Sequence, residues 1–225
     1  MKKFFALVTL ALCALVLTAC GGGAPAKSSG AGSSSAPKTE TPAKKEEPKA
    51  GGKRALVVYY SRADENHGVG VIEKGNTKIL AEMIAEATGA DTFEIVPVKP
   101  YPKEYSPTTE VAKKEKNENA RPEITGTMPD VSKYDVIFLG YPIWWGDLPM
   151  VCYTFFDKVK LEGKTIAPFC THEGSGLSGT DRYIAETTKA KVTEALEMKG
   201  TTAQNNRDDA KKEVAAWLKK LGYAK

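Results

Sequence analysis

The stretch DVIFLGYPIWWGDLPM, residues 135–150, decides how the chain is read. Its first half, DVIFLGYP, is an apolar run that reads as a strand. It ends on two adjacent tryptophans, Trp144 and Trp145, in a chain that has only three, and then on Gly146, Asp147 and Pro149. From there PMVCYTFFDKV (149–159) reads as a helix with proline near its start, where a missing N–H is tolerated. A strand that hands over to a helix through a loop carrying two large rings points to a binding edge.

Working outward, the same grammar repeats. ALVVYY (55–60) suits a strand buried on both faces. TKILAEMIAEATG (77–89) has apolar residues at helical spacing and closes on Gly89. DTFEIVPV (91–98) reads as the second strand and TTEVAKKEKNENA (108–120) as an exposed helix. KTIAPFCT (164–171) is the fourth strand, GTDRYIAETTKA (179–190) a helix and KVTEALEM (191–198) the fifth strand. RDDAKKEVAAWLKKLG (207–222) is a closing helix with Asn206 as its N-cap. Strands alternating with helices imply an α/β fold, a parallel sheet covered on both faces. Ligands of such sheets bind beyond the carboxyl ends of the strands, where the strand order reverses. The loops after the first, third and fourth strands are therefore the informative ones.

The N-terminal part reads differently. Lys2 and Lys3 precede an uncharged run from Phe4 to Ala19, short of the ~20 residues needed to span a bilayer, which meets Cys20 in the string LTAC. Residues 1–19 are expected to be a signal peptide, and LTAC resembles the lipobox of bacterial lipoproteins, which implies that Cys20 is acylated. Residues 21–52 contain no Val, Ile, Leu or aromatic residue and are expected to form a disordered linker. As a flexible coil that linker spans about 30 Å. The domain is expected over 53–225, on the extracytoplasmic face of the membrane. Seven lysines and three glutamates precede residue 53, and the remaining 25 basic and 25 acidic side chains cancel. The pI of 8.7 is thus a property of the tail and gives no argument for nucleic-acid binding. Cys152 and Cys170 form no C-x-x-C pair and have no histidine at ligand spacing, so no metal site is expected. Whether they are joined in a disulfide stays open.

The three loops carry the chemistry. After the first strand comes SRADENHGVGVIEKGNT (61–77), in which Gly75, Asn76 and Thr77 lead straight into a helix. Backbone N–H groups and a hydroxyl at a helix N-terminus favour an anion, most often a phosphate. GVIEKGNT approaches the nucleotide-binding G-x-x-x-x-G-K-[ST] loop but places Asn76 where the lysine belongs, which argues against ATP or GTP. After the fourth strand comes THEGSGLSGT (171–180), dense in Gly and Ser, without the G-x-S-x-G frame of an esterase nucleophile. A planar ring bound at this edge would be sandwiched by aromatic side chains. One tryptophan is expected to serve it and the other to cap the core, and the sequence leaves open which.

VVYYS with GNTKILAEMIAE, FLGYPIWWGDLPM and APFCTHEGSG together resemble the flavodoxin family over nearly all of residues 54–223. The resemblance implies a three-layer doubly wound sheet of five parallel strands in the order 2-1-3-4-5, with FMN as cofactor. It implies that Ser61, Arg62, Asn76 and Thr77 hold the phosphate, that Pro142, Ile143, Trp144, Trp145 and Gly146 line one side of the flavin, and that Thr171, His172, Glu173, Gly174 and Ser175 line the other. ADENHGVGVIEK (63–74) departs from the family pattern as an insertion in the phosphate loop, readable as a flap with His67 at its tip. Asp147 and Glu173 are expected to disfavour the reduced flavin by like-charge repulsion, and the backbone near Gly146 and Asp147 to bond flavin N5. The first functional expectation is a monomeric, membrane-tethered electron carrier serving a redox protein or quinone at the membrane surface. The second is an FMN-dependent NAD(P)H:quinone or flavin oxidoreductase, and the weakest is a non-redox surface lipoprotein that binds a partner.

Overall fold

A computed structural model describes residues 49–50 and 53–223. The expected signal peptide (1–19), Cys20 and all of the expected linker except its residues 49–50 lie outside the described residues. In chain order the elements are β1 (Lys49–Ala50), β2 (Lys53–Tyr59), β3 (Asp64–Asn66), β4 (Gly70–Ile72), α1 (Asn76–Thr88), β5 (Asp91–Glu94) and α2 (Tyr105–Asn117). After them come β6 (Val136–Pro142), α3 (Met150–Lys158), β7 (Thr165–His172), α4 (Thr180–Thr188), β8 (Lys191–Val192), β9 (Leu196–Lys199), α5 (Gly200–Asn205) and α6 (Arg207–Leu221).

The sheet follows from the apolar runs. Ala55, Val57 and Tyr59 of β2 enter one buried layer with α1 and α6, while Leu56, Val58 and Tyr60 enter the opposite layer with α3 and α4. A strand that contributes to two cores has no polar face, which is why these segments read as unbroken apolar runs. β2 pairs in parallel with β5 on one side and β6 on the other, β6 pairs with β7, and β7 pairs with β8 and then β9. With β8 and β9 taken as one interrupted strand, the order is 2-1-3-4-5 as expected. β1 adds a short antiparallel pairing at the start of β2.

Two strands differ from the sequence reading, each for a local reason. The second strand ends at Glu94 rather than Val98. Pro97 has no N–H to give to a ladder, and the chain around it leaves the sheet to pair with the 123–125 segment, Val98 N donating to Glu123 O and Thr125 N to Val96 O, both at 2.8 Å. The fifth strand breaks over 193–195, where Trp217 Nε1 donates to the Glu194 carbonyl at 3.0 Å and Lys220 reaches the Glu194 carboxylate at 2.6 Å. This is the edge of the sheet, and an interruption tied down by α6 side chains shields it from further strand pairing. Asn206 does precede α6, but its side chain makes no capping bond; its carbonyl accepts from Asp209 N and Ala210 N instead. Cys152 and Cys170 are free thiols buried in the same layer. Burial raises both thiol pKa values, that of Cys170 to about 12.

Candidate functional site

The carboxyl ends of β2, β6 and β7 open into a cleft of about 330 Å³. Arg62 and Asn76 line it from the first loop, Pro142, Ile143, Trp144 and Trp145 from the second, and Thr171, His172, Glu173 and Ser175 from the third. Parallel pairing of β2, β6 and β7 in register is what brings these distant segments to one edge.

The first loop is built on a detour. The insertion expected as a flap is an antiparallel hairpin, β3 against β4, with His67 in its turn. Arg62 staples it down: Nη1 donates to Glu65 O at 2.5 Å, and Nη2 donates to Pro102 O at 2.7 Å and Lys103 O at 2.6 Å. The Glu65 carboxylate in turn accepts the Tyr105 N–H at 2.8 Å, supplying the first turn of α2 with a cap. Ser61 and Thr77 are spent inside the protein. Ser61 Oγ accepts from Lys78 N at 3.0 Å, and the buried Thr77 hydroxyl bonds that of Thr171 at 2.8 Å, latching α1 to the end of β7. Among the described residues two side-chain polar atoms are buried without a partner, Arg62 Nε and Asn76 Oδ1. Both belong to residues on the cleft, and a buried orphan donor and acceptor are costly unless something else satisfies them.

The second loop places the two tryptophans differently. Trp144 is part of the core wall, edge-on to Tyr60 at 5.5 Å and to Tyr101 at 5.0 Å between centroids. Trp145 is 49% exposed. Trp144 N donates to Asp147 O at 2.9 Å and Asp147 N to Trp144 O at 3.1 Å, so residues 144–147 form a tight hairpin turn. Its central residues have φ +53° at Trp145 and +71° at Gly146, the type I′ signature. Glycine adopts that conformation freely, whereas a bulky residue in the left-handed region loses about 1–2 kcal/mol. Asp147 N is therefore engaged within the turn. The Asp147 carboxylate accepts from Leu148 N and Tyr153 OH, each at 2.7 Å, and lies 3.6 Å from Lys116 Nζ. Its negative field on the cleft is thus offset by a nearby lysine.

The third loop braces the first. Glu173 accepts from Thr201 N at 2.7 Å and from Thr201 Oγ1 at 3.2 Å. Its carboxyl also packs against the turn at Gly68, and a Cβ at Gly200 would fall 2.0 Å from Asn76 Nδ2 and 2.8 Å from Glu173 Oε1. Only glycine permits that approach. His172 Nδ1 accepts the Gly174 N–H at 3.0 Å, which caps the end of β7 and leaves the proton on Nε2. Gly146 and Gly174 shape the two flanking turns with positive φ and do not themselves line the cleft.

A wall of the cleft escaped the sequence reading. α2 begins three residues before the expected Thr108 and presents Tyr105, Thr108, Thr109 and Ala112 to it. The hairpin adds Asn66 and His67, and His67 stacks on Tyr105 at 5.5 Å and 29°. The spacing 105, 108, 109, 112 is that of one helix face and was the available signal. Among the described residues no group of three His, Cys, Asp or Glu side chains is placed to hold a metal ion.

The fold is shared with known proteins. A protein of Bacteroides eggerthii designated a flavoprotein superposes with a TM-score of 0.60 at 28% identity, covering 75% of this chain and 98% of its own. One of Bacteroides uniformis, also designated a flavoprotein, gives 0.58 at 24%, covering 74% and 97%. A Lactobacillus acidophilus flavoprotein solved in complex with FMN gives 0.52 at 23%, covering 68% and 97%. No curated protein matches the chain. The family model described as flavodoxin matches residues 68–221, which is more than half of the chain and includes every strand of the parallel sheet except β2, and on that match the chain belongs to the flavodoxin family.

Proposed function

We propose that the protein binds FMN in this cleft and carries electrons, tethered by an acylated Cys20 to the outer face of the cell membrane. The observation that carries the reading is the pairing, among the residues that line one cleft, of two orphaned buried polar atoms, Arg62 Nε and Asn76 Oδ1, with the aromatic and apolar edge of Trp144, Trp145 and Ile143. A ligand with an anionic, hydroxylated tail and a planar ring matches both ends. FMN is such a ligand, and the chemistry it supplies when bound is reversible uptake of one or two electrons with protons.

Arg62 supplies the fixed positive charge for the phosphate, and Asn76, at the first position of α1, offers Oδ1 to a ribityl hydroxyl with the helix dipole behind it. Ser61 and Thr77 act one step removed, by holding α1 and β7 in place. Trp145 and the Gly146 turn bound one side of the ring, and His172 and Ser175 the other, with His172 Nε2–H free to donate. The partner is a redox protein or quinone at the membrane surface.

Titration of the purified protein with FMN tests the reading. The expected result is quenched flavin fluorescence and a shifted visible spectrum at micromolar FMN; absence of binding to FMN, riboflavin and FAD removes it. The tether is tested separately by fatty-acid labelling of cells, which Cys20→Ser is expected to abolish.

A further inference from the structure

The hairpin β3–β4 is fixed at both ends. At its base Arg62 holds the Glu65, Pro102 and Lys103 carbonyls, and Glu65 N adds a bond to Lys103 O at 3.1 Å. Its turn meets the third loop: a Cβ on Gly68 would lie 3.0 Å from the Glu173 carboxyl carbon and 3.2 Å from Oε2, so the turn backbone rests on that carboxylate. Glu173 is held in turn by Thr201 N, which donates to Oε1 at 2.7 Å. Gly200 is packed so closely against the Asn76 amide and the Glu173 carboxylate that a Cβ there would strike both. Gly75, just before Asn76, abuts Ser61 Oγ and the Arg62 carbonyl in the same way, which returns the path to its start. Arg62, the hairpin, Glu173, Gly200 and Asn76 therefore form a closed ring of contacts. The two orphaned atoms, Arg62 Nε and Asn76 Oδ1, belong to residues of this ring, whereas Trp145 belongs to a separate wall, bonded to α2 through Thr109 O at 2.9 Å.

We infer that this ring is a length gauge: the contact between the hairpin turn and Glu173 closes the tail end of the cleft, so that the site takes a flavin whose phosphate is its last group and refuses one extended into a dinucleotide. The inference rests on the FMN reading and adds the residues that set its selectivity. FAD carries the same ring and ribityl chain but joins adenosine through a second phosphate. With its flavin end seated as FMN would be, that second half has to pass where Gly68 meets Glu173, and the two have to part. Parting forfeits the contacts of the ring, and a penalty levied on one of two similar ligands is what makes a site selective. The gauge is built by residues 63–74, the segment that departs from the family pattern.

Two substitutions at one position separate closure from charge. Glu173→Gln removes the charge but keeps the bulk and an oxygen for Thr201 N; Glu173→Ala removes both. FMN and FAD are both anionic, so a change of charge alone moves their affinities together. In calorimetric titrations of the full chain, FAD is expected to bind the wild type at least about tenfold more weakly than FMN. Glu173→Ala is expected to narrow that gap severalfold by gaining affinity for FAD, with the ratio in Glu173→Gln close to wild type. Damage to the fold lowers both affinities and cannot produce a gain. A second variant replaces residues 66–70 with Asn-Gly, a two-residue turn that keeps Glu65 opposite Val71, and is expected to shift the ratio in the same direction. Equal binding of FMN and FAD by the wild type overturns the gauge while the FMN reading stands. So does a ratio that stays put in both variants, or that moves only through loss of FMN. A chain that binds no flavin overturns the FMN reading and the gauge with it, so the two failures are told apart.

Discussion

Replacing Arg62 with methionine divides the two tasks assigned to this side chain. Its terminal nitrogens hold three backbone carbonyls, those of Glu65, Pro102 and Lys103, and its Nε is buried without a partner. Loss of the staple loosens the hairpin over the cleft and weakens any ligand that lies beneath it, phosphorylated or not. Loss of the charge weakens only a ligand with a phosphate. A hydrogen bond to a charged group contributes about 1.5–3 kcal/mol, and at about 1.4 kcal/mol per factor of ten the phosphate-specific part is roughly 10- to 100-fold. Because the cleft is open to solvent, the lower end applies. The assay is paired fluorescence titration of wild type and variant with FMN and with riboflavin, which lacks the phosphate. The expected result is a ratio of FMN to riboflavin affinity that falls at least about tenfold in Arg62→Met. Arg62→Lys, which keeps the charge but not the planar fork, should retain most of that ratio while letting a protease cut the hairpin faster. Equal losses for the two ligands would refute the phosphate role and leave Arg62 as a staple alone.

Other expectations follow from packing. Gly140→Ala would drive a methyl to 2.2 Å from the fully buried Phe169 ring, so a loss of about 1–3 kcal/mol is expected, seen as a Tm lower by roughly 2–4 °C per kcal/mol; a Tm unchanged within error would contradict the contact. Trp144→Ala should lower Tm substantially, by about 3–5 kcal/mol if the site behaves as core, while Trp145→Ala should leave Tm nearly unchanged or higher and weaken flavin binding. The reverse pattern would exchange their roles. In the native domain, Cys152 and Cys170 should resist a thiol reagent at pH 8, because both are buried and burial raises their pKa values, and both should react after unfolding without added reductant. Rapid native labelling, or a need for reductant, would contradict this.

The order of strands and helices was written in the chain because burial on both faces leaves a signature in local sequence. Runs such as ALVVYY and DVIFLGYP cannot sit in water, and the turns between them carry the Gly and Pro that end each element. The three loops of the cleft were legible for the same reason, since Trp, Gly and Ser next to a strand end are local features. Where one residue fixed a boundary against the run, as Pro97 does at the end of β5, the sequence contained the reason, although the apolar pattern outweighed it.

The tertiary structure decided what depends on residues far apart. Which tryptophan packs against the core followed from the positions of Tyr60 and Tyr101, 84 and 43 residues before it. Ser61 and Thr77 carry hydroxyls suited to phosphate, yet their distances to Lys78 N and Thr171 Oγ1 turn them inward. The hairpin, α2 and the third loop became one wall only through long-range bonds, Arg62 to Pro102 and Lys103 and Glu65 to Tyr105. Local sequence records what a residue prefers; which of its possible partners it meets is set by the packing of the whole sheet and its helices.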